Sequence, residues 1–257
     1  MSAGRVALVT GGGRGIGRAI AQALARDGFD VAVVGRSQGP VDTVAKEIAA
    51  AGRRTFAATC DVTSARDVET AVAAVRGTLG RIDVLVNNAG VAESAPLKNL
   101  DEAHWDRTIA VNLKGTYLCT RAVVDEMVGR GSGRIINIAS IAGRVGFAYT
   151  SAYCASKHGV LGFTRAVALE LARKGVTVNA ICPGWVDTEM TGSSIERIVK
   201  TTGRSAAEAR RTLEAMSPQQ RLIRPEEVAA VAVFLASENA AGITGQAIDV
   251  DGGEVMA

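Results

Sequence analysis

Aromatic side chains are scarce in this chain, at 4% of 257 residues. With hydrophobic residues at 47%, the core has to be aliphatic, built from Val, Ile, Leu and Ala. Such a core suits a parallel sheet buried on both faces by helices. Histidine is nearly absent (His104, His158), and Cys60, Cys119, Cys154 and Cys182 stand far apart with no Cys-x-x-Cys. That spacing assembles no zinc framework, so no metal is expected, and the thiols read as free and buried in a reducing cytoplasm. No single sign of charge dominates either. A formal net charge of +3, spread without a dense basic stripe, argues against a nucleic-acid partner. The longest unbroken apolar run, Val228 to Ala236, is far too short for a membrane span. The first strand begins almost at the N-terminus, leaving no room for a signal peptide, and a cytoplasmic location is expected.

What the chain does have is a rhythm of strand then helix. Strands are expected at 6–10, 30–34, 55–59, 82–87, 134–139, 176–182 and 246–250. Helices are expected at 15–27, 40–51, 64–78, 101–129, 151–174 and 225–236. This alternation gives a parallel sheet with right-handed crossovers, and at this length a single domain over 1–257 is expected. Residues 187–224 break the rhythm with a polar, weakly helical insertion. Ligands bind beyond the carboxyl ends of such strands, so the insertion is read as a lid.

Thr10-Gly11-Gly12-Gly13-Arg14-Gly15-Ile16-Gly17 follows the apolar run Val6–Val9 and opens a helix that stops at Asp27-Gly28. Strand, glycine turn and helix is the setting of a dinucleotide site. Glycines let the backbone approach a pyrophosphate, and the helix N-terminus offers unpaired N–H groups and partial positive charge. The end of the second strand selects the dinucleotide. NAD sites place a carboxylate there to bind the ribose 2′-OH, but this chain has Gly35-Arg36-Ser37. Arg36 can grip a 2′-phosphate with charge-assisted hydrogen bonds, and Arg14 can approach it from the glycine turn. NADP(H) is the cofactor expected.

Tyr153 and Lys157 stand four residues apart, and Ser140 precedes Tyr153 by thirteen. On a helix that spacing puts both side chains on one face. An ammonium beside a phenol favours the phenolate and lowers a pKa that is otherwise about 10. Taken alone, the pair reads better as a surface Tyr and Lys, since such pairs are frequent; the glycine turn is what points to chemistry. Other polar segments fall at strand carboxyl ends: Asp61-Val62, Asn87-Asn88-Ala89-Gly90, Ser140 and Pro183-Gly184. Singly these are ordinary turns, but jointly they ring one edge of the sheet. Asn112 sits mid-helix among apolar neighbours, where a hydrogen-bonding task inside the fold would explain it. Cys154 adjoins Tyr153 but points elsewhere on a helix and is given no role.

With these residues in place, the chain resembles the short-chain dehydrogenase/reductase family over roughly residues 5–254. The matching motifs are Thr10-Gly11-x-x-x-Gly15-x-Gly17, Asp61, Asn87-Asn88-Ala89-Gly90, Asn112, Ser140, Tyr153-x-x-x-Lys157 and Pro183-Gly184-x-x-x-Thr188. The resemblance implies an α/β fold with one doubly wound Rossmann-type domain and a seven-stranded parallel sheet. It also implies a catalytic tetrad of Asn112, Ser140, Tyr153 and Lys157. Tyr153 would protonate the substrate carbonyl, Ser140 would hydrogen-bond the same oxygen, and Lys157 would lower the phenol pKa and bind the nicotinamide ribose. Asn112 would hold a proton-carrying water. Cofactor contacts are implied for Gly11, Arg14, Gly15, Ile16, Gly17, Arg36, Asp61, Val62, Asn88, Ala89, Gly90, Pro183, Gly184, Val186 and Thr188. Within the family, the run Ser156–Thr164 looks most like 3-oxoacyl-thioester reductases and polyketide ketoreductases.

Ser140, Ile141, Val145, Phe147, Tyr153, Trp185 and Met190 are the candidates to meet a small-molecule carbonyl substrate. Residues 188–224 carry seven Lys or Arg (Arg197, Lys200, Arg204, Arg210, Arg211, Arg221, Arg224) against four Glu. That excess suits a thioester carrier bearing phosphate, and equally a solvated surface. Two other functions stay open: an NAD-dependent secondary-alcohol or 3-hydroxyacyl-CoA dehydrogenase, and a non-catalytic dinucleotide sensor. The helices at 101–129 and 151–174 carry apolar residues on more than one face, among them Val123, Val124, Met127, Val160, Leu161, Phe163, Val167, Ala168 and Leu171. The C-terminal strand at 246–253 would supply a second two-fold contact, so a homotetramer is expected, and the family resemblance points the same way by pairing the two helices.

Overall fold

Seven strands form one parallel sheet in the order β3-β2-β1-β4-β5-β6-β7. In the computed structural model, which describes residues 4–256, they are β1 (Val6–Thr10), β2 (Asp30–Gly35), β3 (Thr55–Thr59), β4 (Ile82–Asn87), β5 (Gly133–Ile138), β6 (Val176–Pro183) and β7 (Ala247–Val250). The ends of the expected domain, 1–3 and 257, lie outside the described residues. Strand side chains alternate between two cores, as a pleat requires. Ala7, Val9, Val31 and Val33 face one cluster, while Val6, Leu8, Ala32 and Val34 face the other.

Each cluster is closed by its own helices. The first is covered by α1 (Gly15–Arg26), α2 (Gln38–Ala50) and the last long helix, Pro225–Ala236. The second is covered by α3 (Ala65–Leu79), by the stretch 102–129 and by the helix Ser151–Leu171. With both faces covered, polar side chains can meet a ligand only at the strand ends. Sequence order reverses between β1 and β4, which opens a crevice at their carboxyl ends.

Two expected elements differ in the structure. The single helix read at 101–129 is α4 (Glu102–Ile109), a π turn (Ala110–Lys114) and α5 (Gly115–Gly129). A π turn admits one extra residue per hydrogen-bonded ring. Asn112 lies within this turn and is 1% exposed. The insertion read as weakly helical forms two well-defined helices, α7 (Glu189–Thr202) and α8 (Ala206–Glu214), after α6 (Ser151–Leu171) and before α9 (Pro225–Ala236). Gly203 ends α7 at φ 72°, and Ser205 opens α8 through a reciprocal cap with Glu208. The apolar residues expected to need an external partner also divide. Val123, Met127, Val160, Leu161, Ala168 and Leu171 are buried in this chain's own core, whereas Trp105, Tyr117 and Leu169 are the large apolar side chains exposed on α4, α5 and α6.

A chain of buried amides ties the sheet to two of these helices. Asn87 and Asn137 are register partners on β4 and β5. Asn87 Nδ2 donates to Asn137 Oδ1 (2.9 Å) and to Thr120 Oγ1 on α5 (3.0 Å), and Asn137 Nδ2 donates to Thr164 Oγ1 on α6 (2.8 Å). Replacing Asn137 by Ala removes two of these bonds and leaves Asn87, whose Oδ1 already has no partner, with Thr120 alone. Each buried polar group left unsatisfied costs about 1–3 kcal/mol. Asn137→Ala should therefore lower the thermal midpoint by roughly 5–15 °C for a chain of this size. A midpoint within about one degree of the unmodified protein would show that the chain of amides contributes nothing net.

Candidate active site

The glycine turn is shaped by what surrounds it. Gly11 has φ 62°, and a Cβ there would stand 2.9 Å from the Ala89 Cα; a Cβ on Gly17 would stand 2.4 Å from both Asn88 Nδ2 and the Gly11 carbonyl. Neither position admits a side chain. Asn88 is the clamp: its Nδ2 donates to the carbonyls of Thr10 and Gly11, both at 3.0 Å. In return Thr10 Oγ1 accepts from the backbone N–H groups of Asn88 (3.0 Å) and Ala89 (3.1 Å). The side chain of Asn88 thus serves the turn, and Ala89 and Gly90 carry backbone along the crevice.

The first turn of α1 has no acidic residue, and its N-cap, Arg14, makes no side-chain cap. Its N–H groups are therefore available to an anion. Arg14 and Arg36 are both exposed at this end of the sheet. Arg14 Nη1 reaches Glu189 Oε2 at the start of α7 (3.3 Å), so the glycine turn touches the insertion. Arg36 stands near enough to Asp61 to help lower its carboxyl pKa, behind the larger effect of two hydrogen bonds from Thr63. Val62 is buried and packs against Gly115, where a Cβ would meet it at 2.7 Å. Thr188, at the foot of α7, faces Gly15, with 3.3 Å between its Cγ2 and a Cβ built there. Pro183 ends β6, and Val186 is buried and bridges to Ile223.

Tyr153, Lys157 and Ser140 meet beside this crevice. Lys157 is 5% exposed, and its Nζ lies 5.7 Å from the centre of the Tyr153 ring while donating to the Ile138 carbonyl at 2.8 Å. Ser140 follows β5; its Oγ accepts from Ala142 N (3.1 Å) and donates to the Pro183 carbonyl (3.5 Å). Burial holds the Tyr153 phenol above its usual value, and the Ser140 hydroxyl works against that rise. The expected lowering of the phenol by Lys157 is not what this structure produces. Burial acts on the lysine as well, pushing it from 10.5 down to about 8, so a partly neutral amine faces a neutral phenol.

Asn112 is brought to the same place. Its Oδ1 accepts from Val91 N (2.8 Å), and its Nδ2 donates to the Val91 carbonyl and to Ser156 Oγ, both at 3.0 Å. Ser156 in turn donates to the Tyr153 carbonyl at 2.7 Å. A Cβ on Gly90 would lie 3.3 Å from Asn112 Oδ1 and 3.8 Å from Lys157 Nζ, so both groups stand close to one glycine.

The substrate candidates are only partly gathered. Val145 and Phe147 line a depression of about 490 Å³ together with Met216, Glu254, Val255 and Met256. Ile141 is buried beneath the Ser140 turn, Trp185 is half-buried, and Met190 is exposed on the first turn of α7. Met216, Glu254, Val255 and Met256 carry no motif that marks them. The one signal for them is a single carboxylate in the apolar tail that follows Gly252-Gly253. Of the cations in 188–224, Arg210 pairs with Asp187 and Glu214, and Arg221 and Arg224 pair with Glu227. Arg197 Nη1 donates to Ser94 Oγ at 2.9 Å, joining α7 to the loop after β4. All four cysteines are buried and unpaired. No group of three or more His, Cys, Asp or Glu among the described residues could hold a metal, and no described helix could cross a membrane.

The chain is similar to known proteins along most of its length. The family model for short chain dehydrogenases matches residues 5–198. The chain is 43% identical over 255 residues to a 3-oxoacyl-[acyl-carrier-protein] reductase of Synechocystis, covering 98% of this chain and 97% of that one. It is 40% identical over 255 residues to a D-beta-hydroxybutyrate dehydrogenase of Cupriavidus necator, covering 98% of each. Among solved structures, an actinorhodin polyketide ketoreductase variant with NADPH matches with a TM-score of 0.95 and 43% identity, covering 97% of both chains.

The depressed lysine has a measurable consequence for stability. Below about pH 8 the folded and unfolded states both carry the Lys157 proton, and the buried charge costs about 3 kcal/mol at ~1.4 kcal/mol per pKa unit. Between about 8 and 10.5 the unfolded state binds the proton and the folded state does not, so this cost fades as pH rises. The stability of Lys157→Met relative to the unmodified protein should thus be greatest at about pH 7 and decline by a few kcal/mol towards pH 10.5. Urea titrations at both ends of that range measure it. A pH-independent difference would mean that the lysine keeps its ordinary pKa.

Proposed function

The chain belongs to the short-chain dehydrogenase family, and from that premise we propose that it is an NADPH-dependent carbonyl reductase acting on a ketone of the 3-oxoacyl-thioester or polyketide-like class. The observation that carries this reading is the meeting of Tyr153, Ser140 and Lys157 beside a glycine turn whose helix N-terminus is uncapped. The residues present fit the cofactor. Gly11, Gly15, Ile16 and Gly17 would receive the pyrophosphate, Arg36 and Arg14 the 2′-phosphate, and Asp61 with Val62 the adenine. Asn88, Ala89 and Gly90 would border the ribose that Tyr153 and Lys157 bind. Pro183, Gly184, Val186 and Thr188 would hold the nicotinamide end. Bound there, NADPH supplies the hydride.

The protein's own groups manage the proton. A phenol lifted by burial keeps its proton at neutral pH, so Tyr153 is loaded as the donor to the carbonyl oxygen. Ser140 gives that oxygen a second hydrogen bond as negative charge grows on it. Once Tyr153 has given up its proton, Lys157, with its Nζ 5.7 Å from the ring centre, is the neighbouring cation. With the lysine near 8 and the phenol above its usual value, return of a proton from Lys157 to Tyr153 runs downhill. Asn112 acts chiefly by position: both of its amide hydrogens are committed to protein, so a relayed water would meet its one free oxygen lone pair. Residues 187–224 serve as a lid over the substrate. The sheet with its covering helices is the single catalytic domain of a cytoplasmic enzyme.

The oxidative alternative draws support from the likeness to a hydroxybutyrate dehydrogenase. Arg36 speaks against NAD, because no carboxylate stands at the end of β2 to meet a ribose 2′-OH.

Consumption of NADPH against a panel of ketones, 3-oxoacyl thioesters and quinones tests the reading. Tyr153→Phe should lose at least ~100-fold in kcat, the usual range for a positioned acid. Each charged contact to the 2′-phosphate should contribute about 1.5–3 kcal/mol, so Arg36→Ala should raise KM for NADPH at least tenfold and leave NADH nearly unchanged. Preference of the unmodified enzyme for NADH would sink the cofactor assignment.

We also propose a homotetramer. Exposed Trp105, Tyr117 and Leu169 leave an apolar face on α4–α6, and Tyr117 stacks edge-on against Phe163 at 6.5 Å to unify it. β7 is a half-buried sheet edge that offers a second contact. Two distinct two-fold contacts close into D2 symmetry. Light scattering at micromolar concentration should return four times 26.5 kDa. A monomer would refute this, and a stable dimer would refute one of the two contacts.

A further inference from the structure

Both carboxylate oxygens of Glu254 are buried, and neither accepts a hydrogen bond. The carboxylate is turned inward: Oε2 lies 3.3 Å from the position of a Cβ on Gly184. Gly184 directly follows Pro183, whose carbonyl takes the Ser140 hydroxyl. Glu254 therefore lies against the strand end beside the group that binds the reacting oxygen. It also lines the depression of about 490 Å³, whose other walls, Val145, Phe147, Met216, Val255 and Met256, are all apolar.

The turn that delivers Glu254 is firmly built. Asp251 accepts from Gly253 N at 2.9 Å and from Val255 N at 2.7 Å, using one oxygen for each. Gly252 and Gly253 take φ 69° and 86°, which favour glycine, and Ser217 Oγ donates to the Gly252 carbonyl at 3.4 Å. No basic side chain is free to neutralise Glu254 from the same loop as Val145 and Phe147, because Arg144 is committed to Asp249 at 2.7 Å. A buried carboxylate with no donor is costly to a fold. Burial, with Asp251 adding to it, accordingly lifts Glu254 to about 7. A group held in this way would gain from a hydrogen-bond donor on a ligand.

We propose that Glu254 is the substrate-selecting residue of this site, accepting a hydrogen bond from a hydroxyl or ammonium group that the ketone carries away from its reacting carbonyl. The inference rests on the ketone-reductase reading above and names the kind of ketone. An apolar wall with one acceptor selects an apolar substrate with one donor. Hydroxyl and ammonium share the chemistry, and the size of the preference for each identifies which one the site serves.

The test is NADPH consumption with 4-phenylbutan-2-one, its ring-hydroxylated (meta and para) derivatives and its ring-aminomethylated derivatives, read as ratios of kcat/KM within each enzyme. A hydrogen bond to a charged or partly charged group predicts that one donor-bearing ketone beats the parent by roughly 10- to 100-fold. Glu254→Leu should collapse that ratio to near one. Glu254→Gln keeps the size and an acceptor, so it should retain part of a hydroxyl preference and lose an ammonium preference. If the leucine variant does not fold, the glutamine variant decides, because undiminished ratios there overturn the proposal. An unchanged ratio in Glu254→Leu, or equal losses on every ketone, also overturns it. Reduction of all these ketones at equal efficiency by the unmodified enzyme overturns this inference alone. Failure to reduce any ketone in the wider panel overturns the reductase reading and this one with it.

Discussion

A sheet covered by helices on both faces leaves one place for chemistry, and the rest of this molecule follows from that constraint. Every strand runs the same way, so every strand delivers its carboxyl end to the same rim. Thr10, Asn87 and Pro183 are the last residues of β1, β4 and β6, and Ser140 stands just past β5. Polar groups that would be costly inside either core are satisfied there by one another or offered to a ligand. The clamp between Thr10 and Asn88 is the clearest case. It closes the turn after β1 onto the turn after β4, across the reversal of strand order, and so sets the width of the crevice.

Burial then sets the electrostatics of the rim. The sequence spacing places a lysine beside a tyrosine and suggests a phenol drawn towards ionisation. In the folded chain both groups are desolvated, and desolvation acts on them in opposite directions, raising the acid and lowering the base. The outcome is a phenol that holds its proton beside a lysine that yields one readily. Such a pair suits a proton that must leave the phenol and be replaced from the lysine. Ser140 opposes the rise in the phenol, and its own orientation is secured by the Ala142 N–H and the Pro183 carbonyl.

Much of this arrangement is legible in the amino-acid order alone. Periodicity locates all seven strands to within a residue or two, because buried parallel strands read as short aliphatic runs between turn residues. Motif residues are legible for the same physical reason that makes them motifs. Gly11 and Gly17 sit where no Cβ fits, and few other residues could stand there. What escapes a linear reading lies in interactions between distant segments. The π turn at Asn112 is held by bonds to Val91 and Ser156, neither of which is near it in sequence. The helical insertion carries few apolar residues, so its periodicity is weak, and its helices show instead in the Gly203 stop and the Ser205 cap. Arg14 and Arg36 read as partners of one phosphate, yet Arg14 also reaches Glu189 on the insertion, a contact with no local signal.

The same division separates what is general in this molecule from what is particular. The glycine turn, the clamp and the tyrosine–lysine pair stand on the sheet and the helices packed directly on it, where any change of register would displace all of them together. The walls of the depression come from elsewhere: the turn after Ser140, the chain after α8 and the C-terminal tail. These segments touch one another but take no part in the sheet ladder. They can therefore change in composition without disturbing the tyrosine–lysine pair. A fold arranged in this way can hold its chemistry constant while its choice of ketone drifts. An unpartnered carboxylate is tolerable in such a wall, because the strain it imposes falls on a peripheral turn and leaves both cores intact.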